Sequence, residues 1–245
     1  MATVADLTEP YGNVLIPILP SGLGVCATCR SAVDDAYSDC YQCSSAHSVL
    51  GSLAADTVVP ISLAVKDKQL AIELWRYKNA SDEATRNTLR PRLAAVLWRF
   101  LSQHERCVAQ AAGAEAFEVV TTVPSTQGRP TPVQRIARAV GPAREKYKAL
   151  LSANPAVEPG RSIRRDRYLV SDEHDVEGAS VLLIDDTWTS GGHAQSAAAA
   201  LKLAGAEHVA VVVIGRHFNP AYGPSSKYLR AAQQTAFDWD QCCVH

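Results

Sequence analysis

The sequence predicts an α/β protein with parallel strands buried on both faces, preceded by a small cysteine-held module. Three observations point there. Val181–Ile184 and Val209–Ile214 are short apolar runs, long enough for strands shielded on both sides. The Ala-rich stretch between them carries the helical spacing Ala194, Ala197/Ala198, Leu201 and Ala204, so strand, helix and strand read as one step of a parallel sheet. Near the N-terminus, CATC and CYQC put four thiols within a short stretch.

Composition sets the bounds. The 245 residues are 47% apolar and 20% charged, which describes a globular chain with ample core. With 24 basic and 25 acidic side chains the net charge is −1, so no global field draws in nucleic acid or an anionic membrane. No apolar run approaches the roughly twenty residues of a membrane span. The start, MATVADLTEP, carries Asp6 and Glu9 rather than a basic segment followed by an apolar one, so it does not read as a secretory signal. Cytoplasm is the expected compartment. The seven cysteines are then expected to be mostly reduced.

Residues 1–23 show little periodicity, with Val14–Leu19 as a candidate edge strand. Cys26 and Cys29, then Cys40 and Cys43, each form a C-x-x-C knuckle, and two knuckles complete a tetrahedral sulfur shell for Zn²⁺. The loop between them is shorter than in most zinc ribbons. With all four positions filled the ion would be structural. His47 is either a substitute ligand or a surface histidine. Val58–Val65 predicts a strand and Lys68–Tyr77 a helix ending near Asn79. Aromatic and basic residues interleave in Glu73–Asn79, where Trp75 and Tyr77 read as core or interface. A long amphipathic helix follows over 85–112, with Leu93, Leu97, Leu101 and Val108 on one face. In this reading it is scaffold, and Cys107 is buried in it.

Phe117–Val123 is β-branched and predicts a central strand feeding a loop with Gly128 and Arg129, then a helix from about Thr131. Residues 151–160 shift to Ser, Asn, Pro and Gly, predicting a linker or mobile loop. It leads to Arg161, Arg164, Arg165 and Arg167, which are either a solvated face or a cationic flap that closes over concentrated negative charge.

The strand at Val181–Ile184 is expected to end at Asp185 and Asp186. A small-residue turn, Thr187–Gly192, then enters the Ala-rich helix. Glycines let backbone approach a ligand, and a helix N-terminus favours a phosphate. The hydroxyls of Thr189 and Ser190 can add donors. Carboxylates nearby suit vicinal hydroxyls or a hydrated Mg²⁺. The predicted ligand is a sugar phosphate. Neither G-x-x-x-x-G-K-[ST] nor G-x-G-x-x-G after a strand occurs in the chain. Beyond Arg216 and His217 the tail, 218–245, predicts irregular structure. Cys242, Cys243 and His245 are either metal ligands reaching back, or part of a tail tucked onto the core by Phe237 and Trp239. The expected division is 1–60 for the cysteine module, 61–217 for the α/β core and 218–245 for the tail.

The run VLLIDDTWTSGG resembles the phosphoribosyl-pyrophosphate (PRPP) motif of the type I phosphoribosyltransferases. That resemblance implies a central parallel sheet flanked by helices. It implies that Asp185 and Asp186 hold the ribose 2′- and 3′-hydroxyls, and that Thr187 and the stretch Thr189, Ser190, Gly191, Gly192 and His193 surround the 5′-phosphate. His193 stands where many members carry a small hydroxyl residue. Thr189 stands where purine-salvage members carry an acid acting on the base.

Taken with the cysteine pairs, the W-R-Y segment and the arginine stretch, the chain resembles the ComF family of competence-associated phosphoribosyltransferase-like proteins. The family usually follows its pyrophosphate segment with an R-G-F-N-like sequence, and this chain departs from it with GRPTPVQR at 128–135. The resemblance places the cysteine module as a hood over the cleft, and Arg129 with one or more of Arg161, Arg164 and Arg165 is expected at the departing pyrophosphate. The implied activity is transfer of a phosphoribosyl group from PRPP, with Mg²⁺, to an unidentified acceptor. The alternative is a non-catalytic PRPP-sensing or adaptor protein of DNA uptake or repair, its knuckles contacting single-stranded nucleic acid or a protein partner.

Overall fold

The computed structural model describes residues 2–125 and 131–244; Gly128, Arg129 and His245 lie outside them. In chain order the elements are α1 (Val4–Thr8), α2 (Tyr41–Leu50), β1 (Thr57–Val65), α3 (Gln69–Asn79), α4 (Glu83–Ala111), β2 (Val119–Thr122), α5 (Pro132–Ala139) and α6 (Gly141–Arg144). They continue with β3 (Leu151–Ala153), β4 (Tyr168–Val170), β5 (Ser180–Trp188), α7 (Gly192–Leu203), β6 (His208–Phe218) and α8 (Ser225–Ala232).

The main sheet has the order β1-β6-β5-β2 and every pairing in it is parallel. Alternation along the strands divides the core in two. Leu182 and Ile184 of β5 and Val212 and Ile214 of β6 face the layer of α3, α4 and α5, whereas Val181, Leu183, Val211 and Val213 face α7. This is the α/β architecture with a central parallel sheet flanked by helices, and a four-cysteine cluster precedes it. The alanine face of α7, with Ala194, Ala197, Ala198 and Leu201 buried, lets the helix backbone lie close on the sheet.

Four local expectations are corrected. The strand does not stop at the acidic pair: β5 runs on to Trp188, because β6 also extends and pairs Asp185 with Val213 and Trp188 with Arg216. Val14–Leu19 is not a strand. Pro17 and Pro20 remove donors there, and Ser62 supplies part of the pairing, its Oγ accepting from the Ile16 N–H at 2.8 Å. Residues 151–160 begin with β3, which pairs antiparallel with β4, so their turn-rich composition belongs to a hairpin connection. The tail contains α8, placed by Tyr228, whose buried hydroxyl donates to the Arg30 carbonyl at 2.7 Å.

Among the described residues no helix is long and apolar enough to cross a membrane.

Candidate ligand cleft and metal centre

A cleft of about 900 Å³ opens at the C-terminal ends of the parallel strands. Ala64 of β1, His217 of β6, Asp185–Trp188 of β5 and Val123–Ser125 beyond β2 form its floor. Open parallel sheets place ligands at this edge, because loops from adjacent strands diverge there.

Because β5 continues through the acidic pair, its two carboxylates leave on opposite faces. Asp186, 3% exposed, turns to α3. There it accepts the Tyr77 hydroxyl, and Lys78 Nζ at 2.5 Å. Tyr77 is held well above the usual phenol range, first by burial and then by the charge of Asp186, so it stays a donor. Asp185 is half-buried on the other face and accepts from the Asp186 N–H at 2.8 Å. Burial raises its pKa from 3.8 to about 7, and repulsion from Asp186 adds to this while Lys78 opposes it.

The turn into α7 is built without a capping side chain. Gly191 is the N-cap at φ 77°. Of the first N–H groups of the helix, that of Gly192 meets only Ser190 Oγ, at a long 3.4 Å, so a phosphate oxygen can compete for it. Both glycines are required by space. A methyl on Gly191 would collide with the Trp188 indole, and one on Gly192 with the Arg161 carbonyl. From below, the buried Arg216 guanidinium donates through Nη1 to the carbonyls of Trp188 and Thr189, each at 3.1 Å, and so fixes the turn. His193 Nδ1 lies 2.9 Å from the Tyr168 hydroxyl. Burial, then the charges of Arg167, Arg161 and Lys78, push the pKa of His193 down, so the imidazole is neutral near pH 7.

Of the arginines singled out from sequence, Arg161 lines the cleft. Arg164 instead pairs with Asp166 at 2.7 Å, and Arg165 donates to the Val49 carbonyl at the same distance. Arg167 is buried, bonded to the Ser162 carbonyl at 2.8 Å. Thr187, Thr189, Ser190, Gly191, Gly192 and His193 all line the cleft.

Cys26, Cys29, Cys40 and Cys43 converge so that their ligand atoms lie within 4.8 Å of one another. Cys29 and Cys40 sulfurs are 3.8 Å apart, the edge of a tetrahedron with metal–sulfur bonds of about 2.3 Å. The Cys40 N–H points at Cys26 Sγ from 3.3 Å, as suits a thiolate. Cys29 is held well below the thiol range, first by its contacts with Cys26, Cys40 and Cys43, with Arg216 adding its charge. The donor set fits zinc. His47 stands outside it, with Nε2 at 3.0 Å from the Thr28 hydroxyl.

Sequence reasoning missed three residues here. Tyr77 and Lys78 were visible only as part of an aromatic-basic helix end, and Arg216 only as the end of a strand. The interleaving in Glu73–Asn79 was a signal, but nothing local connects it to Asp186, about a hundred residues on.

No protein-family model and no curated protein matches the chain. Among solved structures it is similar to an allosteric regulatory enzyme of purine biosynthesis, with 20% identity over 57% of this chain and 30% of that one, at a TM-score of 0.37. It is also similar to the glutamine PRPP amidotransferase of B. subtilis complexed with ADP and GMP, with 20% identity, the same coverages and a TM-score of 0.36. The chain thus matches under a third of either protein. Overlap that low carries no weight for activity, which rests on the cleft itself.

Proposed function

We propose that the cleft binds PRPP with Mg²⁺ and that the protein is a phosphoribosyltransferase of the ComF kind, passing the phosphoribosyl group to an acceptor and releasing pyrophosphate. The observation that carries this is the short path from Asp185 to Gly191. A carboxylate in the last half of β5 and a helix N-terminus whose N-cap is a glycine share one cleft, which suits a molecule with hydroxyls at one end and a phosphate at the other.

In this reading Asp185 and Asp186 receive the ribose hydroxyls, and their hard oxygens suit a hydrated Mg²⁺, which would offset charge on the pyrophosphate. Thr187 and the stretch Thr189–His193 cradle the 5′-phosphate. Arg161, which lines the cleft, would stabilise the leaving group, and Arg129 is assigned to the same task from sequence. Lys78 pairs with Asp186 and brings a cation to the rim of the cleft.

Titration calorimetry with PRPP and Mg²⁺ tests the assignment. Wild type is expected to bind and the Asp185→Asn/Asp186→Asn variant to lose at least tenfold in affinity; equal binding would overturn it.

One observation favours a second reading, binding without transfer: Asp186 is already engaged by Tyr77 and Lys78 and must exchange partners to meet a ribose. Pyrophosphate release in a screen of bases, amines and nucleosides separates the two. Binding without release in any acceptor's presence would favour a PRPP-sensing or adaptor protein.

A further inference from the structure

We propose that His104, Cys107 and Cys242 form a second metal site, for zinc or a similarly thiophilic divalent ion, that fastens the C-terminal tail to α4. His104 and Cys107 are three residues apart on α4 and therefore share a face. Cys242 arrives from the far end of the chain, and the three ligand atoms lie within 4.8 Å of one another.

The S···N distance is that of a metal shell, and the S···S distance is a few tenths of an ångström short of one. Cys107 Sγ is 3.6 Å from His104 Nδ1 and 3.4 Å from Cys242 Sγ. A tetrahedral ion with sulfur at about 2.3 Å and nitrogen at about 2.0–2.1 Å spaces its ligands at about 3.6 Å for S···N and about 3.8 Å for S···S. The four-cysteine cluster shows the same scale, at 3.8 Å. A disulfide needs about 2.0 Å.

The histidine is also set up as a ligand. Its Nε2 lies 2.7 Å from the Trp239 carbonyl, which fixes the proton there and turns the Nδ1 lone pair toward the sulfurs. A backbone acceptor on the far ring nitrogen is the usual support of a metal-bound imidazole.

Other contacts hold the tail in place without an ion. Gln103 donates to Asp240 at 2.8 Å, and Arg99 stacks over the Trp239 ring at 4.6 Å. With Asp240 engaged, the local donor set among the described residues is one imidazole and two thiols, which selects a soft ion over magnesium or calcium. Binding displaces two thiol protons, one of which the Cys107 thiol directs at the His104 carbonyl 3.1 Å away.

The full chain, purified under reductant and loaded with zinc, is expected to hold two equivalents by elemental analysis. The Cys107→Ser/Cys242→Ser variant should hold one. A second measurement needs no variant: raising zinc from one to three equivalents should slow alkylation of Cys107 and Cys242 at least tenfold, read by peptide mass spectrometry. One equivalent in both proteins, unchanged alkylation, or a Cys107–Cys242 disulfide in the reductant-purified chain would overturn the site.

Discussion

The four-cysteine module and the β5–α7 cleft both feel the charge or hydrogen bonds of Arg216, yet they are assembled on opposite plans. The module takes every ligand from residues 26–43, and one tight turn at Cys26–Cys29 together with the first turn of α2 at Cys40–Cys43 suffices to bring them together. The cleft takes its carboxylates from one dipeptide, but a strand sends neighbouring side chains to opposite faces. Asp186 is therefore completed by Lys78, 108 residues away, and Asp185 faces the Tyr168 and His193 side. A metal shell assembled within one segment stands or falls as a unit. A cleft built by converging elements can lose its parts one at a time.

The largest expected effect breaks the module. Cys29→Ser removes a fully buried ligand. It should abolish one tightly held zinc and lower Tm by on the order of 10 °C, measured by elemental analysis and calorimetry. If Arg216 links the regions, PRPP affinity should fall with it; an unchanged affinity would show the two to be energetically separate.

In the cleft, Gly191→Ala combines a left-handed φ with the indole clash, for a cost of about 2–4 kcal/mol by denaturant melts and a loss of PRPP binding. Gly12→Ala, in open space, is the matched control and should stay within about 0.5 kcal/mol.

Asp186→Asn strips the charge that Tyr77 and Lys78 satisfy, and should cost about 1–3 kcal/mol. Its coupling to Tyr77→Phe in a double-mutant cycle measures the α3 clamp, and additivity would show that the clamp does not exist.

Asp185→Asn should behave differently, with a sign set by pH. Because the folded pKa is raised, the native state holds the Asp185 proton more tightly than the unfolded chain. Its contribution to stability falls as pH rises from about 4 to about 7. The variant should therefore match wild type near pH 4 and melt a few degrees above it near pH 8. A variant less stable at pH 8 would contradict the burial argument.

Smallest is Arg164→Ala. Its ion pair with Asp166 is exposed, so Tm and PRPP affinity should stay within error, whereas Arg161→Ala should weaken PRPP binding.

Much of this was legible in the chain because it is encoded locally. Val181–Ile184 and Val209–Ile214 carry β-branched apolar runs, the alanines of α7 keep helical spacing, and the cysteine pairs carry their own turn geometry. These interactions lie within a few residues of each other, so periodicity and spacing alone fix the α/β class, the turn rich in glycine and the four-sulfur cluster. What the sequence could not decide was long-range. The run of β5 past Asp185 depends on β6 extending beside it. The partners of Asp186 come from α3, the support of the turn from Arg216, and the approach of Cys242 to His104 from packing of the tail. None leaves a local signature, because side chains meet across elements only once the core has set how those elements cross.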